Sequence, residues 1–298
     1  MKKVLVIGSI NEDMSFRLTH LPEAGETIAA KSLKVSHGGK GANQAVALAR
    51  MGADVAMIGC VGLDDTGTHI LKDLSTEGID TQGVLRSNTN TGLAIINVDD
   101  AGENSIVYYP GANHELTIED LESQKDFIAT FDYCLFQFEL PLEVIYYAID
   151  LCKELGVKAV LNPAPYNQLF NKEYLQKLDY FIPNEIEFAD AMNLKGDFDV
   201  FSQSKHFYNQ YQCKLIITLG SKGSLLTHDS IQEMVDSVPS DVVDTTAAGD
   251  TYIGAFMSAI ARGLREIEAM KLATKAASRC VSKAGAQDSI PYLNDIVL

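Results

Sequence analysis

Short apolar runs that stop abruptly at glycine or at a polar residue constrain this chain most. Val4-Leu5-Val6-Ile7-Gly8 has no polar face, so as a strand it must be covered on both sides, as happens in a parallel sheet between helical layers. Comparable runs at 55–61, 133–138, 157–161, 180–182 and 215–218 are separated by helical sequences, among them 42–51, the stretch around Ile70, Leu71 and Leu74, 141–155 and 265–284. The alternation predicts an α/β fold, and 298 residues with 46% hydrophobic content suffice to bury one large core.

Two pairs of segments depart from that pattern. Met14, Phe16 and Leu18 alternate with Ser15, Arg17 and Thr19, and Leu33 and Val35 alternate with Ser32, Lys34 and Ser36. Residues 91–99 and 104–109 flank Asp100-Ala101-Gly102-Glu103, a hairpin signal. Such alternation belongs to strands with one dry face. They are expected to form a small sheet standing off a single domain of residues 1–298, as a lid with strands at about 12–37 and 91–112. The other reading makes them loops or strands of the main domain.

The charge balance, 24 basic against 40 acidic side chains for a net −16, argues against a general binder of nucleic acid or anionic membrane, which needs a basic surface. An anionic small ligand would have to find local donors. Cys60, Cys134, Cys152, Cys213 and Cys280 are dispersed and form no C-x-x-C pair, which fits reduced core thiols and a cytoplasmic setting. Met-Lys-Lys leads straight into the first apolar run, which is too short for a signal peptide, and no run approaches a membrane span. None of the histidines has metal-ligand spacing, and Ser9 and Ser221 lie outside any G-x-S-x-G elbow.

The chemistry concentrates in Val242-Val243-Asp244-Thr245-Thr246-Ala247-Ala248-Gly249-Asp250-Thr251, where β-branched residues of strand character give way to small ones and then to a helical pattern. Ala247, Ala248 and Gly249 leave room for a ligand against the backbone, and the free N–H groups of a helix start attract phosphate. Asp250 in the first turn is placed to act as a general base. The same residues also suit a capped, tightly packed helix end.

A second glycine run, His37-Gly38-Gly39-Lys40-Gly41-Ala42-Asn43, opens another helix. It is not a Walker A loop, since Gly41 stands where Ser or Thr should follow the Gly-Lys pair, and Gly59, Gly62 and Gly67 make no dinucleotide fingerprint. Gly38 and Gly39 would let backbone approach a polyhydroxylated substrate, with Asn43 as donor and acceptor; Lys40 reads most simply as a solvated lysine. Asn11 and Asp13 follow the first strand and Glu139 follows another. The carboxyl ends of strands are where open α/β sheets bind ligands, although Asn11 and Asp13 also read as an ordinary polar turn. Asn184 and Glu187 have the spacing of a capping box.

G-S-I-N-x-D, G-G-K-G-A-N-Q, N-P-A-P, P-N-E-x-E, T-L-G-x-x-G, D-T-T-A-A-G-D-T and K-A-G-A-Q-x-S-I-P occur in this order along the whole chain, which thereby resembles the ribokinases, sugar kinases of the PfkB-like family. The resemblance implies a ribokinase-like three-layer α/β/α core with a small β-sheet lid, often dimerised through the lids. It implies ATP-dependent phosphorylation of the 5-hydroxyl of ribose; fructose, deoxyribose or a nucleoside are the alternative acceptors, and a sugar-binding protein without catalysis the alternative class. By position, Asp250 is similar to the general base and Ala247, Ala248 and Gly249 to the anion hole. Asn11, Asp13, Gly38, Gly39, Lys40, Asn43 and Glu139 fall on the sugar side. Asn184, Thr218, Gly220 and Gly223 fall on the nucleotide side, and Glu187 belongs to the motif linked to Mg²⁺. Asp244, Thr246, Cys280, Lys283, Gly285 and Ser289 resemble a K⁺ loop. Lys283 stands where arginine is common, its ammonium being an alternative to the cation, and Glu12 beside the sugar-binding pair is expected to bear on which sugar is accepted.

Overall fold

The computed structural model describes residues 1–297. Its strands are β1 (Lys3–Ile7), β2 (Asn11–Arg17), β3 (Ser32–Gly38), β4 (Asp54–Gly62), β5 (Asp80–Ser87), β6 (Gly92–Val98), β7 (Asn104–Tyr109), β8 (Tyr133–Phe136), β9 (Lys158–Leu161), β10 (Tyr180–Phe181), β11 (Lys214–Thr218), β12 (Ser224–His228) and β13 (Ile231–Val235). The helices are α1 (Lys40–Arg50), α2 (Asp65–Thr76), α3 (Ile118–Ser123), α4 (Lys125–Ile128), α5 (Leu142–Leu155), α6 (Glu185–Met192), α7 (Val200–Tyr211), α8 (Ala248–Ala261), α9 (Glu266–Val281) and α10 (Asn294–Val297).

The main sheet has the order β13-β12-β11-β10-β9-β8-β1-β4-β5, parallel from β5 to β11 and antiparallel at the β12 and β13 edge. Consecutive residues of β1 feed opposite cores. Val4 and Val6 pack with α1, α8 and α9, whereas Leu5 and Ile7 pack with α5, α6 and α7. That is why an uninterrupted apolar run was needed. The chain goes from β1 outward to β4 and β5, then returns to β8 on the other side of β1. This reversal opens a crevice at the carboxyl ends of β1 and β8, the usual ligand position in such sheets.

The second sheet has the order β3-β2-β6-β7, with β2 parallel to β6 and the other neighbours antiparallel. Asn11 and Asp13 are therefore strand residues of this sheet and not part of a turn. Register puts Asn11, Asp13, Ser15 and Arg17 on one face and Glu12, Met14 and Phe16 on the other, with Val35 and Val107 in line with Met14. The apolar face is not dry within one chain, since Leu33 is 52%, Val35 50% and Val107 59% exposed.

One expectation fails at the approach to α8. Val242 and Val243 lie in an extended loop outside any strand. The amides of Val243 and Asp244 both donate to the carbonyl of Val281, so the loop is tied to the end of α9 and β propensity is overridden by that anchoring.

Candidate active site

α8 is buried along nearly its whole length, and it crosses α1 so closely that a Cβ on Gly254 would lie 2.4 Å from that of Ala47. This crossing brings the starts of both helices to the crevice. Ala247 caps α8 in the left-handed region, with φ 59°, a conformation that costs a residue with a side chain about 1–2 kcal/mol. In return the amides of Ala247, Gly249 and Asp250 carry no hydrogen bond among the described residues, while that of Ala248 turns back to Thr245 O at 3.2 Å. Of the three amides expected to form the anion hole, two are open.

Asp250, 7% exposed, has both carboxylate oxygens engaged. Asn43 Nδ2 donates to Oδ2 at 3.1 Å and Gln44 Nε2 to Oδ1 at 2.9 Å. Gln44 also donates to Asn162 Oδ1 at 3.0 Å and accepts from Gln137 Nε2 at 2.6 Å. The Asp250 carboxylate is thus oriented by a buried chain of amides running from α1 to the ends of β8 and β9. Asn43 Oδ1 is buried without a partner, an acceptor waiting for a hydroxyl.

On the lid side, Asn11 is fixed by Asn113, whose Nδ2 donates to Asn11 Oδ1 at 2.7 Å and whose Oδ1 takes the Ile10 N–H at 2.8 Å. Gly39 has φ 85°, and a Cβ there would lie 2.9 Å from the Asn11 nitrogen, so only glycine admits this approach of α1 to the lid. Gly38 lies directly over the Asp13 carboxylate. Glu139 accepts the Lys40 amide at 3.0 Å and the Ser9 hydroxyl at 2.5 Å. Burial pushes the Asp13 carboxyl up to about 7, with the charges of Glu139 and Asp250 adding to it and Lys40 opposing. The Lys40 ammonium is not the solvated lysine of the simplest reading. Burial works against its charge, but Asp250, Glu139, Glu187 and Asp13 surround it and raise its pKa. Glu12 points away from the sugar-side residues, its carboxylate taking the Thr66 hydroxyl at 3.3 Å on α2, because alternate residues of a strand face opposite ways.

On the opposite side a cavity of about 220 Å³ is lined by Lys40, Asn184, Glu187, Thr218, Gly249 and Asp250 among others. Asn184 and Glu187 form the capping box of α6, with both reciprocal bonds at 2.8 Å. Burial raises the pKa of Glu187, and the Asn184 N–H opposes this. Thr218 bridges to Asn184, and Gly220 and Gly223 make the tight turn that leads from β11 to β12.

The loop before α8 is braced from behind. Asp244 accepts Thr246 N at 2.9 Å on one oxygen and Gly285 N at 2.9 Å on the other. Burial would raise its pKa, but these bonds and the Thr246 hydroxyl hold it below the usual carboxylate value. Cys280 Sγ lies 3.6 Å from Thr246 O and 3.0 Å from Ser289 Oγ, so the thiol sits between these two oxygens of the cation-like loop. Lys283 is exposed and makes no ion pair among the described residues, which leaves its ammonium outside that cluster.

Sequence reading did not single out Gln44, Gln137, Asn162, Asn113 or Tyr108. Gln44 and Asn162 stand inside conspicuous motifs, but nothing local says that their amides meet. Tyr108 shares the Asp13 face of the lid through the register Asp13–Ala94–Tyr108.

A sheet of this order, a small-residue helix start and a braced carboxylate in the crevice define a small-molecule phosphotransferase, and the model of the pfkB family of carbohydrate kinases matches residues 1–293. The chain belongs to that family. Within it the chain is 36% identical to the ribokinase of Staphylococcus aureus over 99% of its own length and 98% of that protein's. It is 38% identical to a bifunctional ribokinase/ribose-5-phosphate isomerase A of Fructilactobacillus sanfranciscensis, of which it spans 55%. The structure of Arabidopsis thaliana ribokinase complexed with ribose and ATP superposes with a TM-score of 0.90 at 29% identity, covering 99% of this chain and 97% of that one. No helix among the described residues is long and apolar enough to cross a membrane.

Proposed function

We propose that this chain is an ATP-dependent kinase that transfers the γ-phosphoryl group to the 5-hydroxyl of D-ribose. The observation that carries the reading is Asp250, held by two amides between open backbone N–H groups on one side and the cluster of Asn11, Asp13, Asn43 and Glu139 on the other. Asn11, Asp13, Gly38, Gly39, Asn43 and Glu139 hold the sugar. Asp250 takes the proton as the sugar oxygen forms its bond to phosphorus and the bond to the ADP oxygen breaks, a contribution of about 10²–10⁴ in rate. The amides of Ala247 and Gly249 and the Lys40 ammonium receive the charge on the transferring group, and each well-placed donor is worth about 10²–10³. Thr218, Gly220 and Gly223 lie along the nucleotide, and lid closure excludes water.

Mg²⁺ bound with ATP would supply charge neutralisation at the phosphates. Asn184 and Glu187 line the cavity on the nucleotide side and would hold the ion together with ATP. For K⁺, the Asp244 carboxylate, the Ser289 hydroxyl and the carbonyls of Thr246, Cys280, Lys283 and Gly285 would supply an all-oxygen set suited to a large, weakly hydrated ion, and the bonds by which Asp244 ties Thr246 to Gly285 support the reading. The exposed apolar lid face supports a homodimer through the lids; Val107→Asp should then halve the mass in sedimentation, and an unchanged mass removes the idea. Five buried free thiols fit a cytoplasmic enzyme.

A phosphorylation panel over ribose, deoxyribose, fructose and nucleosides, run at fixed ionic strength in K⁺, Na⁺ and tetramethylammonium, tests the reading. Ribose with K⁺ should give the highest turnover. A preferred acceptor other than ribose overturns the substrate, equal rates in the three salts overturn the cation, and no ATP turnover with any acceptor leaves a sugar-binding protein.

A further inference from the structure

The lid face that carries Asp13 also carries two cations farther along. Ser36, Lys34 and Ser32 of β3 stand opposite Asp13, Ser15 and Arg17 of β2, and directly paired residues share a face. Lys34 Nζ lies 2.8 Å from Asp288 Oδ2, and a Cβ on Gly285 would come within 2.5 Å of the same ammonium. Arg17 faces Asp244 closely enough for its charge to act on that carboxylate. Thus the lid meets the 285–288 loop through charge.

That loop is also the brace of the anion hole. Asp244 grips Gly285 with one oxygen and Thr246 with the other, one residue before the left-handed Ala247. From behind, Arg50 donates to the carbonyls of Gln287 and Ile290 at 2.6 and 2.8 Å, which anchors the loop to α1. A cleft of about 490 Å³, lined by His37, Arg50, Asp73 and Asp288 among others, separates β3 from α2 beside the ion pair.

We propose that Lys34 and Asp288 are positioning residues that couple lid closure over the sugar to the geometry of the loop bracing the anion hole. An open lid would release Asp288 and loosen the turn at Gly285, and through Asp244 the amides of Ala247 and Gly249. A closed lid would hold them in place, so the phosphate site is organised fully only when sugar is present.

The test is a charge swap. Ribose affinity is measured by calorimetry in tetramethylammonium chloride for wild type, Lys34→Glu, Asp288→Lys and the double variant, and the K⁺ concentration for half-maximal turnover is measured for the same four proteins. Because the pair is half exposed, each single change should weaken ribose binding by about 2–5-fold. The half-saturation for K⁺ should rise along with it, and the double variant should restore both. Single variants that bind ribose as wild type does, or a double variant whose loss is the sum of the two, would overturn the coupling. The cation arm rests on the proposed K⁺ site, whereas the ribose arm does not. A wild type indifferent to K⁺ therefore refutes the site alone, and the ribose data still decide the coupling.

Discussion

The two walls of the site are built by different means. At the start of α8, Asp250 is buried and its carboxylate is fixed by Asn43 and Gln44, which are themselves held by Asn162 and Gln137. Beyond the buried Asn11–Asn113 bond at its base, the lid meets the core through partly exposed polar pairs, Lys34 with Asp288, His37 with Asp73 and Glu12 with Thr66, and its apolar face is left uncovered by its own chain. Buried, fully connected hydrogen bonds hold a group in one geometry, whereas exposed pairs contribute little and rearrange readily. On the proposed function, the chemistry sits on the wall fixed by buried hydrogen bonds and the sugar is enclosed by the wall held through exposed pairs.

The largest effect that contrast demands is at the rigid wall. Asp250→Asn keeps the volume and removes the proton acceptor, so turnover should fall by at least about 10² while ribose and ATP affinities stay near wild type. Residual turnover within tenfold of wild type in a single-turnover assay would end the role of general base. On the lid, Asp13→Ala should act on binding instead, costing about 1–3 kcal/mol in ribose affinity by calorimetry. ATP affinity without sugar should barely move, and an equal loss of both would place Asp13 outside the sugar pocket.

The smallest effect is in the pH dependence of stability. The Asp13 carboxyl has a folded-state value of about 7, above its ordinary value, chiefly through burial. The folded protein therefore holds this proton more tightly than the unfolded chain. The resulting stabilisation is complete below the ordinary carboxylate value and is lost as pH rises through about 7. Asp13→Asn has no proton to lose, so its melting temperature relative to wild type should climb between pH 5 and pH 8. A difference that stays flat across that range would mean that Asp13 is not raised in the folded state.

Much of this was written in the order of residues. The uninterrupted run at Val4 to Gly8 specified a strand with two cores, and the alternations around Met14 and Leu33 and on either side of Asp100 specified strands of a separate sheet. The small residues before Asp250 marked a helix start, and the ordered motifs named the family, because periodicity and backbone freedom are local properties. What the sequence left open depends on contacts between residues far apart in the chain. Only the tertiary structure showed that Val242 and Val243 are loop residues tied to α9, that the Ala248 amide is spent on Thr245, that Lys40 is enclosed by carboxylates and that Glu12 faces α2. Only the fold, likewise, joined Gln44 to Asn162 and Gln137, because a side-chain amide finds its partner by the path of the whole chain and carries no local mark of which partner it will be.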